Sequence, residues 1–122
     1  FSTDLCVPIS RLAECVTETN ADLQSHGLLG PTVGHVGDGN FHVGLYANPN
    51  DASEVEQVKA AYDRMVARAL AMGGTCTGEH GIGSGKIKYL EMEHGPAIKV
   101  MRSIKQALDP DNILNPGKIF RL

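Results

Sequence analysis

The segment from residue 32 to residue 47 places the strongest constraint on the fold, because it predicts a tight β-hairpin. Four turn-forming residues, Gly37 to Asn40, separate a first arm near Thr32–Val36 from a second arm near Phe41–Ala47. Two strands joined by so short a loop pair antiparallel, because a parallel pair needs a crossover of about a dozen residues or more. The hairpin therefore favours an antiparallel sheet over a doubly wound parallel one.

The rest of the chain predicts helices before and after this hairpin in the sequence. The predicted elements are a strand near Leu5–Ile9, a helix from about Arg11 to about Ser25 capped by Ser10, a helix opened by a Ser53–Glu56 capping box and stopped by Gly73-Gly74, a short helix around Lys86–Glu93, and a last helix that begins at Pro96 and ends before Pro110. This order predicts an α+β fold, with helices packed on one face of an antiparallel sheet.

Composition narrows the functional classes. The eleven Lys and Arg are scattered and outnumbered by fourteen Asp and Glu, so we expect no nucleic-acid partner. No apolar run approaches the ~20 residues of a transmembrane helix. The length of 122 residues fits one domain. Since the chain begins with Phe1 rather than Met, we expect it to be a piece of a longer protein.

The cysteines predict free thiols rather than a disulfide framework or a zinc ribbon. Their number, three, is odd, and no Cys-x-x-Cys motif occurs. The alternative concerns Cys76, which is close to Glu79 and His80 in sequence and could be a reactive thiol.

Two histidines flank the predicted turn. If residues 37–40 form a four-residue loop, His35 and His42 lie directly opposite each other, with Cβ atoms ~4.5–5.5 Å apart on one face. Phe41 and the apolar residues that alternate with it then point to the other face, toward the core. Two imidazoles so placed can bind one divalent ion. Alternatively, the two histidines are unrelated, and each forms hydrogen bonds in its own place. Asp38 could be a further metal ligand, although an Asp in a turn more often bonds to its own backbone.

The loop from Thr75 to Gly85 is the second candidate site, because Glu79 and His80 stand side by side between glycines. A His-His-Glu set leaves metal positions open for substrate or water. A histidine changes charge near neutral pH, so His80 is a candidate base. It could instead only order its neighbours. Lys86 and Lys88 are expected on a solvated face, although either could meet a carboxylate substrate.

These segments resemble a known family in sequence order. The matching motifs are Gly34–His42, Gly78–Gly83, Leu108–Pro110 and Leu114–Lys118. They are similar to the C-terminal part of the FAD-linked oxidases, the group of D-lactate dehydrogenase, the glycolate oxidase large subunit and D-2-hydroxyglutarate dehydrogenase in the vanillyl-alcohol oxidase superfamily. The resemblance covers nearly the whole chain.

The resemblance implies a partial, ferredoxin-like cap domain over residues 1–122, seated on a flavin that a separate N-terminal domain holds. It implies that His35, His42 and Glu79 bind a divalent metal, commonly zinc, and that His80 is the catalytic base. It also implies that Asn115 contacts the FAD domain. The expected cofactor-binding residues are therefore Asn115, for the flavin side, and Glu79, for the metal. The FAD-binding domain itself is absent from this chain.

We therefore expect the C-terminal fragment of an FAD-dependent dehydrogenase that oxidises a small D-2-hydroxy acid, such as D-lactate, glycolate or D-2-hydroxyglutarate, to the 2-oxo acid. The electron acceptor stays open. The alternatives are a free-standing metal-binding module and a metal-dependent hydrolase in which Glu79 is the base. We expect the fragment alone to be inactive and to self-associate through apolar surface. The expected location is the cytoplasm or the inner face of a membrane, mitochondrial in a eukaryote.

Overall fold

The computed structural model describes residues 1–122, which form two compact units, Phe1–His80 and Gly81–Leu122. The elements of the first unit are β1 (Leu5–Cys6), α1 (Ile9–Ser25), β2 (Thr32–His35), β3 (Asn40–Val43) and α2 (Ala52–Ala71). Those of the second unit are α3 (Ile87–His94) and α4 (Ala97–Leu108). This content confirms the predicted α+β fold.

The sheet has three antiparallel strands in the order β1-β3-β2. The central strand β3 pairs with β1 through Leu5 opposite Phe41, and with β2 through Gly34 opposite the same Phe41. Phe41 and Val43 are buried, as the two-residue period predicts, while His42 between them points to the other face. The alternation therefore separates the core from a polar face of the sheet.

Helices α1 and α2 supply most of the core of the first unit. Their buried residues recur every three or four positions, which is the spacing of one helix face. They are Leu12, Cys15, Thr19 and Leu23 on α1, and Val58, Ala61, Met65, Val66 and Ala69 on α2. The two helices contact each other, and α2 contacts β1. Each fully buried Leu, Val or Met contributes about 1.5–3 kcal/mol relative to leaving it exposed.

Both predicted N-caps are wrong. Helix α1 begins at Ile9, after Pro8, so Ser10 lies inside the helix. Helix α2 is capped by Asp51, whose side chain accepts hydrogen bonds from the amides of Ser53 and Glu54. An Asp cap at residue 51 offers the same acceptor two residues earlier, and its charge suits the helix dipole.

The second unit leaves much of α4 open to solvent. Its buried residue is Ile98, whereas Val100, Ile104 and Leu108, on the face that the sequence marks as apolar, are 62%, 55% and 78% exposed. No helix of the chain has both the length and the apolar character needed to cross a membrane.

Asp109 organises the chain after α4. Its carboxylate accepts hydrogen bonds from the amides of Ile113 and Leu114, at 2.9 Å each, and it pairs with the ammonium of Lys105. The Lys105 ammonium also donates to the carbonyl of Leu114 at 2.6 Å. The hydrogen bond from Lys105, aided by the two amides, lowers the pKa of Asp109. This arrangement fixes the turn that leads to Asn115.

We predict that Asp109→Ala speeds amide hydrogen exchange at Ile113 and Leu114 about tenfold or more at pH 7, because both amides lose their charged acceptor. Asp111→Ala is the control, because Asp111 is an exposed neighbour, and it should leave both exchange rates unchanged. The lowered pKa means that the contribution is complete at neutral pH and is lost as pH falls through that lowered value. In an NMR titration the midpoint of the shift of the two amide resonances should therefore lie below pH 3.8, the ordinary value for the group. Unchanged exchange in Asp109→Ala would contradict this account.

Candidate metal centre

The hairpin presents both predicted histidines on one face, but not as a directly opposed pair. His35 lies opposite Asn40, and His42 lies opposite Val33. The register is shifted by two residues from the predicted one, because the turn occupies Val36 to Gly39 and begins with a 3-10 turn. A shift of two preserves the face of every side chain. The two imidazoles are therefore diagonal neighbours, with ring centroids 6.3 Å apart.

Gly39 allows the turn to close. Its φ is +72°, and a Cβ at this position would stand 2.0 Å from the carbonyl oxygen of Val7. The Gly39 carbonyl in turn accepts a hydrogen bond from the Val7 amide at 3.0 Å. The turn is thus bonded to the segment that follows β1, and a residue with a side chain would not fit.

The loop after α2 brings Glu79 and His80 to the same face. Thr75 forms a bridge with Cys6 through two backbone hydrogen bonds, which aligns the loop beside β1. The loop then turns around the buried carboxylate of Asp4, which accepts hydrogen bonds from the backbone amides of residues 78–80. This path ends with the Glu79 carboxylate between the two hairpin imidazoles.

The ligand atoms converge closely. Glu79 Oε1 is 2.9 Å from His42 Nε2 and 3.6 Å from His35 Nε2. One ligand atom from each of the three residues lies within 4.8 Å of the others. Tetrahedral ligands at ~2.0–2.1 Å from a zinc ion would lie ~3.3 Å apart, so the observed separations suit a metal after a small contraction. The structure thus brings together the three predicted ligands.

The hydrogen bond of His42 fixes which nitrogen faces the cluster. His42 Nδ1 is 2.9 Å from the carbonyl oxygen of Thr3, which can only accept, so Nδ1 carries the proton. In the neutral ring, His42 Nε2 is then unprotonated, and its lone pair points at the Glu79 carboxylate. Two acceptors at 2.9 Å need a cation between them, either a proton that makes an imidazolium–carboxylate pair or a metal ion. A ring held by a backbone carbonyl is the usual arrangement of a metal-binding histidine.

His80 lies beside the cluster. Its ring stacks on that of His42, with centroids 5.2 Å apart, and its Nε2 is 3.6 Å from Glu79 Oε1. The His80 side chain is about half exposed, at 53%. It therefore has access to a molecule that approaches the open side of the three ligands.

A cavity of about 250 Å³ opens beside the cluster. Its lining residues are Cys6, His35, Asp38, Asn40, Gly78 and Glu79. The side chains of His35 and Glu79 are 61% and 48% exposed, whereas that of His42 is 13% exposed. His42 is thus largely shielded from solvent, whereas His35 and Glu79 are accessible to a molecule that enters the cavity.

Burial and the Asp4 charge act on two neighbouring groups. Burial, aided by the charges of Asp4 and Asp38, raises the pKa of the Cys6 thiol. Burial, again aided by the charge of Asp4, raises the pKa of Tyr62 to about 12. Both groups therefore stay protonated at neutral pH in the metal-free protein.

The remaining candidates lie elsewhere. None of the three cysteines forms a disulfide bond, and Cys76 is fully buried, so it is not an accessible reactive thiol. Asp38 lies in the turn and is not among the clustered ligands. In the second unit, Lys88 lines a cavity of about 340 Å³ and Asn115 is exposed with φ +46°. Asn tolerates this left-handed conformation better than most residues.

Asp4 and Asn40 are residues of the site that the sequence did not predict. Asp4 is 1% exposed, and its Oδ1 accepts a hydrogen bond from Asn40 Nδ2 at 2.9 Å. The available signal was an acidic residue at the start of an apolar strand, where a buried carboxylate needs several donors. Those donors are 36 to 76 residues away in sequence, so local patterns do not reveal them.

A protein-family model describes this chain. The model of the FAD linked oxidases, C-terminal domain, matches residues 1–119. The chain belongs to this family. It is 56% identical to the probable mitochondrial D-lactate dehydrogenase of Danio rerio over its whole length. It is 46% identical to the mitochondrial D-lactate dehydrogenase (cytochrome) of Arabidopsis thaliana, over 97% of the chain, and 41% identical to glycolate oxidase subunit GlcD of Bacillus subtilis strain 168, over 96%.

This FAD-linked oxidase domain spans only part of each relative. It covers 25% of the Danio rerio protein, 21% of the Arabidopsis thaliana protein and 25% of the Bacillus subtilis protein.

We predict that Gly78→Ala disrupts the site, because the added Cβ would stand 1.9 Å from Asn40 Nδ2 and 3.0 Å from Asp4 Oδ1. Overpacking of this kind costs typically ~1–3 kcal/mol, so the midpoint of thermal unfolding should fall. Gly85→Ala is the matched control, since nothing lies within 4 Å of its added Cβ. Equal midpoints for the two variants would show that the close approach at Gly78 is not a constraint.

Proposed function

We propose that this chain is the C-terminal part of the cap domain of an FAD-dependent dehydrogenase that oxidises a small D-2-hydroxy acid to the 2-oxo acid. The family match and the D-lactate dehydrogenases and glycolate oxidase subunit among its relatives support this class of reaction. The observation that carries the proposal is the convergence of His35, His42 and Glu79 beside His80.

The metal of this site is proposed to be zinc, bound by Nε2 of both hairpin imidazoles and by the Glu79 carboxylate. Imidazole nitrogen and carboxylate oxygen are ligands that zinc accepts, and three protein ligands leave a position for substrate. In this role the three side chains would hold the metal beside His80, and the metal would supply a Lewis acid for the hydroxyl and carboxylate of the acid. A hydrolase with Glu79 as the base is less well supported, because Glu79 Oε1 faces both imidazoles.

His80 is proposed to take the proton of the substrate hydroxyl at Nε2. It is close to the ligands without being one of them, and its side chain is accessible. Oxidation of the acid removes two electrons and two protons, and His80 holds one of those protons. FAD, when bound, supplies the acceptor for the hydride that leaves the carbon bearing the hydroxyl group.

The rest of the protein is proposed to hold the FAD. This chain offers Asn115, exposed on a turn fixed by Asp109, as a contact to that cofactor or its domain. We expect the isolated chain to be inactive, and its exposed α4 residues support self-association in isolation. Relatives from fish, plant and yeast carry the word mitochondrial in their names, which supports a mitochondrial location in a eukaryote.

The paired variants His42→Ala and His80→Ala in the full-length protein separate the two roles. We predict that His42→Ala loses bound zinc and flavin reduction together. His80→Ala should keep its zinc, while reduction of the flavin by D-lactate or glycolate slows about 10²–10⁴-fold, the usual contribution of a general base. Metal analysis and anaerobic stopped-flow absorbance measure the two quantities.

His26→Ala is the control, because His26 is a half-exposed histidine at the end of α1. It should match the wild type in both measurements. Flavin reduction at the wild-type rate in His80→Ala would remove His80 as the base. Full zinc content in His42→Ala would remove the proposed metal site.

A further inference from the structure

We propose that Asp4 is the positioning residue of this site, and that its buried carboxylate holds Glu79 in place to bind the metal and His80 in place to take the proton. The inference rests on the proposed function, because it assigns Asp4 a task only if those two side chains do the chemistry. Asp4 itself is not among the residues that line the cavity beside the cluster.

The carboxylate accepts hydrogen bonds from four consecutive residues of the loop. Asp4 Oδ2 is 2.7 Å from the hydroxyl of Thr77 and 3.0 Å from the amide nitrogens of Gly78 and His80. The amide nitrogen of Glu79 is 3.3 Å from both carboxylate oxygens. Successive amides that point at one anion form a backbone nest, which fixes the φ and ψ angles of the residues involved.

The same carboxylate binds the strand that carries the histidines. Asp4 Oδ1 accepts from Asn40 Nδ2 at 2.9 Å, and Asn40 also donates to the carbonyl of Leu5 at 2.8 Å. Asp4 Oδ1 is 3.7 Å from His42 Nδ1. One buried group therefore sets the distance between β3 and the loop, and with it the 2.9 Å separation of Glu79 Oε1 from His42 Nε2.

The contacts require an acceptor on both oxygens. The hydroxyl and the amides approach Oδ2, and the Asn40 amide approaches Oδ1, so every group named here donates to the carboxylate. A carboxylate satisfies these donors without offering one of its own. A carboxamide at residue 4 would put its N–H₂ against a donor in either orientation, and would break one side of the connection.

The decisive experiment compares Asp4→Asn with Asp22→Asn in the full-length protein. Asp22 is also a shielded carboxylate, 14% exposed, whose two oxygens share one bifurcated hydrogen bond from Arg64 Nε on α2, but it does not touch the cluster. Both variants should unfold at lower temperature. Only Asp4→Asn should weaken Zn²⁺ binding, about 10–100-fold in a chelator competition, which is the usual effect of losing a group that orients metal ligands.

The rate of flavin reduction should also differ between the two variants. Asp4→Asn should slow flavin reduction at saturating substrate, because His80 is misplaced, whereas Asp22→Asn should stay within about twofold of the wild type. Wild-type zinc affinity together with wild-type reduction in a folded Asp4→Asn protein would overturn the proposal. Equal losses in Asp22→Asn would also overturn it, since they would show a general effect of stability.

Thr77→Val keeps the test decisive if Asp4→Asn does not fold. It removes one hydroxyl that donates to the carboxylate and preserves the shape of the side chain. Zinc affinity should fall about three- to tenfold, a smaller loss than in Asp4→Asn, because only one of the donors to the carboxylate is removed. An unchanged affinity would count against Asp4. If the wild-type protein itself binds no Zn²⁺, the proposed metal centre fails, which is a result distinct from failure of the positioning role.

Discussion

The two-residue period of the β2–β3 hairpin is the constraint on which the rest of the site depends. It sends Phe41 and Val43 into the core and leaves His35 and His42 on the opposite face. Burial of the apolar face fixes the register, because a slip of one residue would exchange the two faces. The position of the histidines is therefore a consequence of core packing, and it needs no metal to establish it.

A second interaction is needed to bring a carboxylate to those histidines, because Glu79 is on a loop 37 residues after His42. Burial of Asp4 is costly without partners, and the loop supplies them as amides that would otherwise need water. The loop and the carboxylate satisfy each other, and Asn40 bonds the pair to the sheet. The result is a set of ligand atoms that converge on one point, where their lone pairs favour a cation.

Local patterns in the sequence predicted most of the fold and the members of the cluster. The hairpin, the periodic α2 and the end of α2 at Gly73 follow from short-range physical chemistry. The failures are of two kinds. Cap choice and hairpin register depend on differences of one or two residues, which propensities do not resolve. The role of Asp4 depends on partners as far as residue 80, and only the folded chain reveals such contacts.

We propose that the fold holds His35, His42 and Glu79 as the ligands of one metal ion. X-ray absorption at the zinc edge, on the protein isolated with its metal, tests this most directly. The account predicts a first shell of nitrogen and oxygen at ~2.0–2.1 Å, with the outer-shell scattering of two imidazole rings. A sulfur shell at ~2.3 Å, or a shell without imidazole scattering, would contradict it and leave the cluster as a hydrogen-bonded His–Glu pair.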